Sequence, residues 1–187
     1  MSSLRKSSLW LLACLLACCQ KVDLTGDAAV ISGSGDADSE VTASQICGTG
    51  LGTTQYPYTV SDVRSMALSM DTVWVMGYLV GTAPRSLKNA EFQRDASNLS
   101  NILLSSDSLC ADTALCIPVE LSSTRLKTQF ALPNNRQHFR QCLLVRGFPA
   151  TYLYRKGLRG VCAGLWLDGF DISGVAAVSL QRNGNDD

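Results

Sequence analysis

The sequence predicts a mainly β domain of five short strands with one or two short helices, confined to residues 46–172. Five runs rich in Val, Leu, Ile and aromatic residues have the length and composition of strands. One short helical pattern lies between the third and fourth runs. The stretch has the length of a single domain and shows no internal repeat, so we expect it to bury one core.

A short helix is expected before the first strand. Ser61 is its predicted N-cap, and the helix continues through Met66 and Leu68. The first strand is predicted at 73–81, a β-branched and aromatic run interrupted by Gly77. A glycine in the middle of a strand predicts a bend or bulge at that position.

The second and third strands are predicted at 100–105 and 116–121, as neighbours in the sheet. Pro118 lies inside the third strand. Because proline has no backbone N–H to donate, it predicts an edge position or a bulge.

The remaining elements are one helix and two strands. Residues 122–131 carry apolar side chains at helical spacing and predict a short helix that ends before Pro133. The fourth and fifth strands are predicted at 142–148 and 161–167, joined by a glycine-containing loop.

This order of elements resembles an OB-fold, the partly open five-stranded Greek-key barrel that binds oligonucleotides and oligosaccharides. The runs that carry a closer resemblance are Gly52-Thr53, Pro57 to Val60, Val73 to Gly81, Ser100 to Leu104, Cys116 to Leu121 and Leu143 to Gly147. From about Gly48 to Asp168 the chain is similar to an uncharacterised OB-fold-like domain family of Bacteroidota lipoproteins. The resemblance implies the barrel fold but no activity, since a fold alone does not give one.

Residues 1–17 have the pattern of a lipoprotein signal peptide. A positive head precedes an apolar run that is far shorter than the roughly 20 residues of a membrane-spanning helix. The run ends in Leu15-Leu16-Ala17-Cys18, which resembles a lipobox and predicts lipidation of Cys18. Cys14 ends a second such pattern after a shorter apolar run, and a soluble secreted protein is the other alternative.

The segments on either side of the predicted domain are expected to be flexible, and the lipidated N-terminus indicates where the protein is located. Residues 18–45 are expected to be an acidic tether, rich in Gly, Ser and Ala and without aromatic residues. The tail, residues 173–187, is expected to lack order at its end. The expected location is the cell envelope, where the lipid anchors the protein to a membrane, the outer membrane above all, facing the periplasm or the cell surface.

Five of the eight cysteines lie in the predicted domain. Cys110 and Cys116 flank a short loop and could form a disulfide in an oxidising compartment. The alternative is that Cys116, Cys142 and Cys162 are small buried hydrophobic residues of the strands. No metal site is expected, because the cysteine spacing is not that of a zinc site and one histidine is too few.

The sequence does not favour an enzyme. Its one histidine, His138, lies in a basic, loop-like stretch, and no Gly-x-Ser-x-Gly motif accompanies it. The acids do not form an obvious pair. We therefore expect no catalytic residues and no cofactor, and we rank a hydrolase below a binding protein.

Charge gives the strongest indication of function. The chain is neutral overall, but residues 121–167 carry eight cations and no acid, with aromatic residues between them. This combination suits a polyanion or an anionic glycan. The predicted ligand-binding residues are Trp74, Tyr78, Arg146, Tyr152, Tyr154 and Arg155.

Several alternatives stay open for this segment. The protein could be a saccharide or envelope-polyanion binder, or a component that binds a protein partner during envelope assembly. The expected location argues against nucleic acid as a partner, although OB-folds bind single strands with similar residues. The basic run could also be an ordinary solvated face, with the aromatic residues in the core.

Overall fold

The structure is a computed structural model that describes residues 45–175. The predicted signal peptide, the lipidation residue Cys18, almost all of the tether, and the tail beyond residue 175 lie outside the described residues. Between residues 45 and 175, no helix is both long enough and apolar enough to cross a membrane.

The described part is mainly β, as predicted, but it has six strands instead of five. Two short α-helices accompany the sheet: α1 (Val60–Ser65) and α2 (Thr124–Phe130). The strands are β1 (Tyr58–Thr59), β2 (Val73–Gly81), β3 (Asn101–Ser105), β4 (Cys116–Glu120), β5 (Cys142–Tyr152) and β6 (Arg155–Leu167).

The strand pairings close into a ring. β2 pairs antiparallel with β3, β3 with β4, β5 with β6, and β5 with β2. β4 and β6 run parallel and share a single residue pair, Val119 with Leu158. β1 lies parallel to the first half of β2. The result is an irregular ring of hydrogen bonds and not a regular barrel.

Alternate residues of these strands face the ring's interior, as the period of two in a β-strand requires. Val75, Ile102 and Leu143 lie in the main core with residues of both α-helices, and all three are fully buried. Their strand neighbours Met76 and Leu103 point the other way, into two smaller apolar clusters. The ring is therefore covered on part of its outer face as well.

The helix before β2 begins earlier than predicted. Thr59, not Ser61, is the N-cap of α1, because Thr59 and Asp62 form a reciprocal capping box. The helix ends at Ser65, so Leu68 lies outside it and is exposed.

Two expectations about glycine and proline in the strands need correction. The irregularity of β2 falls between Leu79 and Gly81, whereas Gly77 keeps its pairing with β5. Gly77 instead makes room for α1, since a Cβ there would lie 2.8 Å from a methyl carbon of Val60. Pro118 is buried in β4 between β3 and β6, where its missing N–H faces the sparsely bonded β4–β6 seam.

The last two strands are longer than predicted and meet directly. β5 continues to Tyr152 and β6 begins at Arg155, so a two-residue turn replaces the expected glycine-containing loop. Gly157 and Gly160 lie inside β6. At Gly157 a side chain would overlap the carbonyl oxygen of Pro118, which explains why this strand position lacks one.

Candidate functional site

An open cleft of about 480 Å³ lies between the β2–β3 loop, residues 82–100, and the β5–β6 turn. The segment that leads into β4 forms its third side. The lining residues are Ser86, Leu87, Lys88, Thr113, Leu153, Tyr154 and Arg155. We call this feature the hairpin cleft. Leu87 and Leu153 also pack on a buried cluster that contains Val80 and Leu103, so the cleft has an apolar base.

The β5–β6 turn holds an aromatic ring out in solvent. Leu153 and Tyr154 both have positive φ, 50° and 64°, a combination for which type I′ turns favour Asn and Gly. Non-glycine residues in this region cost about 1–2 kcal/mol each. Leu153 packs inward, whereas Tyr154 is 93% exposed. Backbone strain of this kind concentrates at ligand sites, which makes Tyr154 a candidate contact residue.

The opposite wall of the cleft is held by a buried polar network at the base of the β2–β3 loop. The Asn101 side chain accepts from the backbone N of Ala83 and donates to its carbonyl oxygen, each at 2.9 Å. Thr82 donates to the Asn101 carbonyl at 2.8 Å and pairs with Glu91 across the loop. These bonds fix both ends of the segment that presents Ser86 to Lys88.

The hairpin cleft carries positive charge. Lys88 and Arg155 line it, and their side chains have no ion-pair partner among residues 45–175. None of the lining residues is acidic. The nearby carboxylate of Asp112 accepts from the backbone N of Ala114 at 2.7 Å and caps the short helical turn that contains Thr113. The cleft therefore offers two cations and a ring to a ligand.

Of the six predicted ligand-binding residues, Tyr154 and Arg155 line this cleft, and three others lie elsewhere. Trp74 and Arg146 are cross-strand partners on β2 and β5. Arg146 is six residues before Tyr152, a distance of roughly 20 Å along a strand. Tyr78 pairs with Cys142, at the end of β5 far from the turn. Its side chain packs on the outer cluster with Trp74 and also on the apolar cluster beneath the cleft, but it does not line the cleft.

Tyr78 performs a structural task. Its hydroxyl donates to the carboxylate of Asp171 at 2.8 Å and accepts from the backbone N of Ile172 at 2.9 Å. Burial, with the Asp171 carboxylate, raises the pKa of Tyr78, and bonds from Ser173 and Tyr78 lower the pKa of Asp171. The phenol thus fastens the final helical turn to β2.

Tyr152, the remaining predicted residue, lies at the end of β5 and is half-buried. The guanidinium of Arg159 lies 5.9 Å from its ring centroid and forms an ion pair with Glu120 at 3.1 Å. Burial raises the pKa of Tyr152. Tyr152 therefore belongs to the β4–β6 seam next to the cleft and does not line it.

Much of the basic segment is engaged in the fold. Lys156 donates to the backbone carbonyl oxygen of Met66, and Arg146 donates to Thr72 at 3.1 Å. Arg136 pairs with Asp95 at 3.3 Å. The acid-free run is therefore a poor measure of how much charge is free for a ligand.

His138 lies apart from the hairpin cleft. Its ring stacks on Trp166, with centroids 4.3 Å apart, and its Nδ1 is 3.3 Å from a carboxylate oxygen of Asp168. Within residues 45–175, no hydroxyl or thiol side chain hydrogen-bonds to this imidazole. The described residues also include no cluster of side chains suited to a metal ion.

The sequence pointed to one side of the cleft and missed the other. Lys88, Ser86 and Thr113 lie outside the basic segment, in loops whose positions depend on how the ring closes. A lysine in a polar loop cannot be recognised from the sequence as a ligand-binding residue. The Asn101 network offers a hint only once the loop ends are known to meet.

The comparisons with known proteins give a family and nothing further. No curated protein and no solved structure matches the chain. The family described as Domain of unknown function (DUF6359) matches residues 58–166, from β1 almost to the end of β6 and including the hairpin cleft. The chain therefore belongs to the DUF6359 family.

Proposed function

We propose that this protein is a lipid-anchored binding module of the cell envelope, which holds an anionic saccharide or related polyanion in the hairpin cleft. The observation that carries the proposal is the meeting, in one cleft, of an exposed aromatic ring with two cations that have no ion-pair partner among residues 45–175. Tyr154 would stack on the ligand, and Lys88 and Arg155 would pair with its acidic groups. The proposed function involves no catalytic residue and no cofactor.

The order of strand pairings supports this reading. If β2 to β6 are the five strands of an OB-fold, the loop between the first two and the turn between the last two are where such folds bind oligosaccharides and oligonucleotides. These are the two segments that enclose the hairpin cleft. The OB-fold assignment and the site thus support each other.

The envelope location is the basis for preferring a saccharide to a nucleic acid. It depends on the lipobox-like sequence ending in Cys18, ahead of the described domain. A lipid-anchored protein outside the cytoplasm meets charged glycans far more often than single-stranded nucleic acid. Radiolabelled palmitate incorporation, lost in Cys18→Ser and kept in Cys14→Ser, tests the anchor separately from the ligand.

Calorimetric titration with an oligogalacturonate, a chain of carboxylated sugars, tests the ligand class. We expect binding that weakens as salt rises, because exposed charges are screened within about 10 Å at 0.1 M ionic strength. Lys88→Ala and Arg155→Ala should each weaken it. Arg125→Ala is the matched control, since Arg125 is an exposed cation of the basic segment outside the cleft.

Other outcomes would select other functions. Equally tight binding of a neutral malto-oligosaccharide would show that the charges of Lys88 and Arg155 do not contribute to binding. Tighter binding of a single-stranded oligonucleotide would favour nucleic acid. Salt-resistant association with an envelope protein, unaffected by Lys88→Ala, would favour the protein-interaction alternative.

A further inference from the structure

Two cysteines meet under the hairpin cleft. Cys110 lies in the loop after β3 and Cys116 begins β4, and their sulfur atoms are 3.9 Å apart. Both side chains are buried, at 8% and 2% exposure. The carbonyl oxygen of Asp112 accepts from the Cys116 thiol at 3.2 Å, so the chain between them curls back over the pair.

We propose that Cys110 and Cys116 form an intramolecular disulfide that fixes one wall of the hairpin cleft. The sulfurs must approach by a little under 2 Å to reach the length of an S–S bond, about 2.05 Å. Rotation of two side chains at the ends of a short loop supplies movement of that size. The fold thus brings the pair into position in the thiol form.

The reaction needs an electron acceptor, and a disulfide of an exchange partner supplies it. The Cys110 thiolate attacks the partner's disulfide, forms a mixed disulfide and releases one partner thiol. Cys116 then attacks the Cys110 sulfur, forms the Cys110–Cys116 bond and releases the second partner thiol. Two protein thiols lose two protons and two electrons, and the partner disulfide gains them.

The other cysteines of the domain make this pairing specific. Among residues 45–175, Cys47 and Cys162 are exposed and Cys142 is buried on β5, and none of the three contacts another sulfur. Burial raises the pKa of Cys142 to about 12, which keeps it a thiol. Burial and the neighbouring Cys110 raise the pKa of Cys116 as well. Cys110 is the more exposed of the two, at 8% against 2%, so it meets the exchange partner first.

The bridge would act on the cleft through Thr113. This residue lies between the two cysteines, begins a short helical turn and lines the hairpin cleft. Leu153, beneath Tyr154, packs on the same cluster as both sulfurs. Oxidation would restrict the 110–116 segment and hold the cleft in its described shape. This effect on ligand binding rests on the proposed function, whereas the disulfide does not.

Peptide mapping of the full chain tests the bridge. The protein is equilibrated in glutathione buffers from fully reduced to fully oxidised, trapped with an alkylating reagent, digested and mapped by mass spectrometry. We expect a peptide in which Cys110 and Cys116 carry no alkyl group and whose mass is two hydrogen masses below that of the unmodified dithiol. Cys162→Ser should leave the linked peptide intact, and Cys116→Ser should abolish it.

The wild-type map decides the matter even if a variant fails to fold. Alkylation of both cysteines in fully oxidised buffer, or linkage of either one to another cysteine, would overturn the proposal. Oligogalacturonate binding is then compared for the oxidised and reduced chain. A bridge without ligand binding would refute the proposed function alone, and a bridge with binding unchanged on reduction would refute the effect on the cleft.

Discussion

The substitution Tyr154→Gly distinguishes the effect of this residue on folding stability from its effect on ligand binding. Tyr154 has φ of 64° and is 93% exposed, so removing its side chain relieves strain and loses little buried area. Relief of this backbone strain stabilises the folded state by about 1–2 kcal/mol. The greater conformational entropy of glycine in the unfolded chain offsets about 0.5–1 kcal/mol of that gain. We expect Tyr154→Gly to stabilise the domain by about 0.5–1 kcal/mol, which raises Tm by roughly 1–4 °C.

The same change should weaken ligand binding. Truncating an aromatic contact residue typically costs about 1–2 kcal/mol, which corresponds to a Kd about 5–30 times higher. Thermal unfolding by circular dichroism measures the first effect, and calorimetric titration with oligogalacturonate measures the second. Tyr154→Ala is the control, because it removes the ring but keeps a side chain at positive φ. It should lose binding without gaining stability.

The opposite pattern would refute this reasoning. If Tyr154→Gly lowered Tm and bound oligogalacturonate as tightly as the wild type, the ring would serve the fold and not a ligand. Equal stabilisation by Tyr154→Ala would show that the exposed side chain, and not the backbone conformation, is the source of the strain.

Three further substitutions test the structural account by urea unfolding. Gly157→Ala should destabilise the domain by about 1–3 kcal/mol, because its Cβ overlaps the Pro118 carbonyl oxygen, and an unchanged midpoint would contradict the close β4–β6 seam. Asn101→Ala should cost about 1–3 kcal/mol by leaving buried backbone groups of the β2–β3 loop unpaired, and it should also weaken oligogalacturonate binding; full binding would mean that the loop needs no such support. Because the folded pKa of Tyr78 is raised above its usual 10.0, its contribution is complete below that pH and is lost as pH rises through the folded pKa. Stability should therefore fall less steeply as pH rises above 10.0 in Tyr78→Phe, and equal slopes would remove Tyr78 from the alkaline transition.

The sequence predicted the strands well where uninterrupted runs of apolar side chains indicate buried positions. The runs at 100–105 and 116–121 match β3 and β4 to within a residue, because β-branched and aliphatic residues fill both faces of these strands. The helix predicted between residues 122 and 131 is present as α2, with Ser123 as its N-cap. Local composition and capping chemistry were sufficient for these elements.

The hairpin was harder to predict, because its glycines serve tertiary contacts and not a turn. Gly157 is in β6 because Pro118 of another strand approaches its backbone closely. The actual turn, Leu153–Tyr154, contains none of the residues that usually mark a type I′ turn. A sequence pattern reports local preference and does not reveal which distant strand comes near.

The candidate site was half predictable for the same reason. Tyr154 and Arg155 stood out as an aromatic beside a cation, and both line the hairpin cleft. Trp74 and Arg146 stood out equally but lie together on another part of the sheet. Lys88 could not be predicted, because it joins the site only when the strand pairings close into a ring and bring the β2–β3 loop to the β5–β6 turn.

The most direct test of the proposed site is an NMR titration of the isotopically labelled chain with oligogalacturonate. We expect the largest amide shifts at residues 86–88, at Thr113 and at residues 153–155, with little change around Trp74 and Arg146. Shifts centred on Trp74 and Arg146, or no shifts at saturating ligand, would contradict the proposed site.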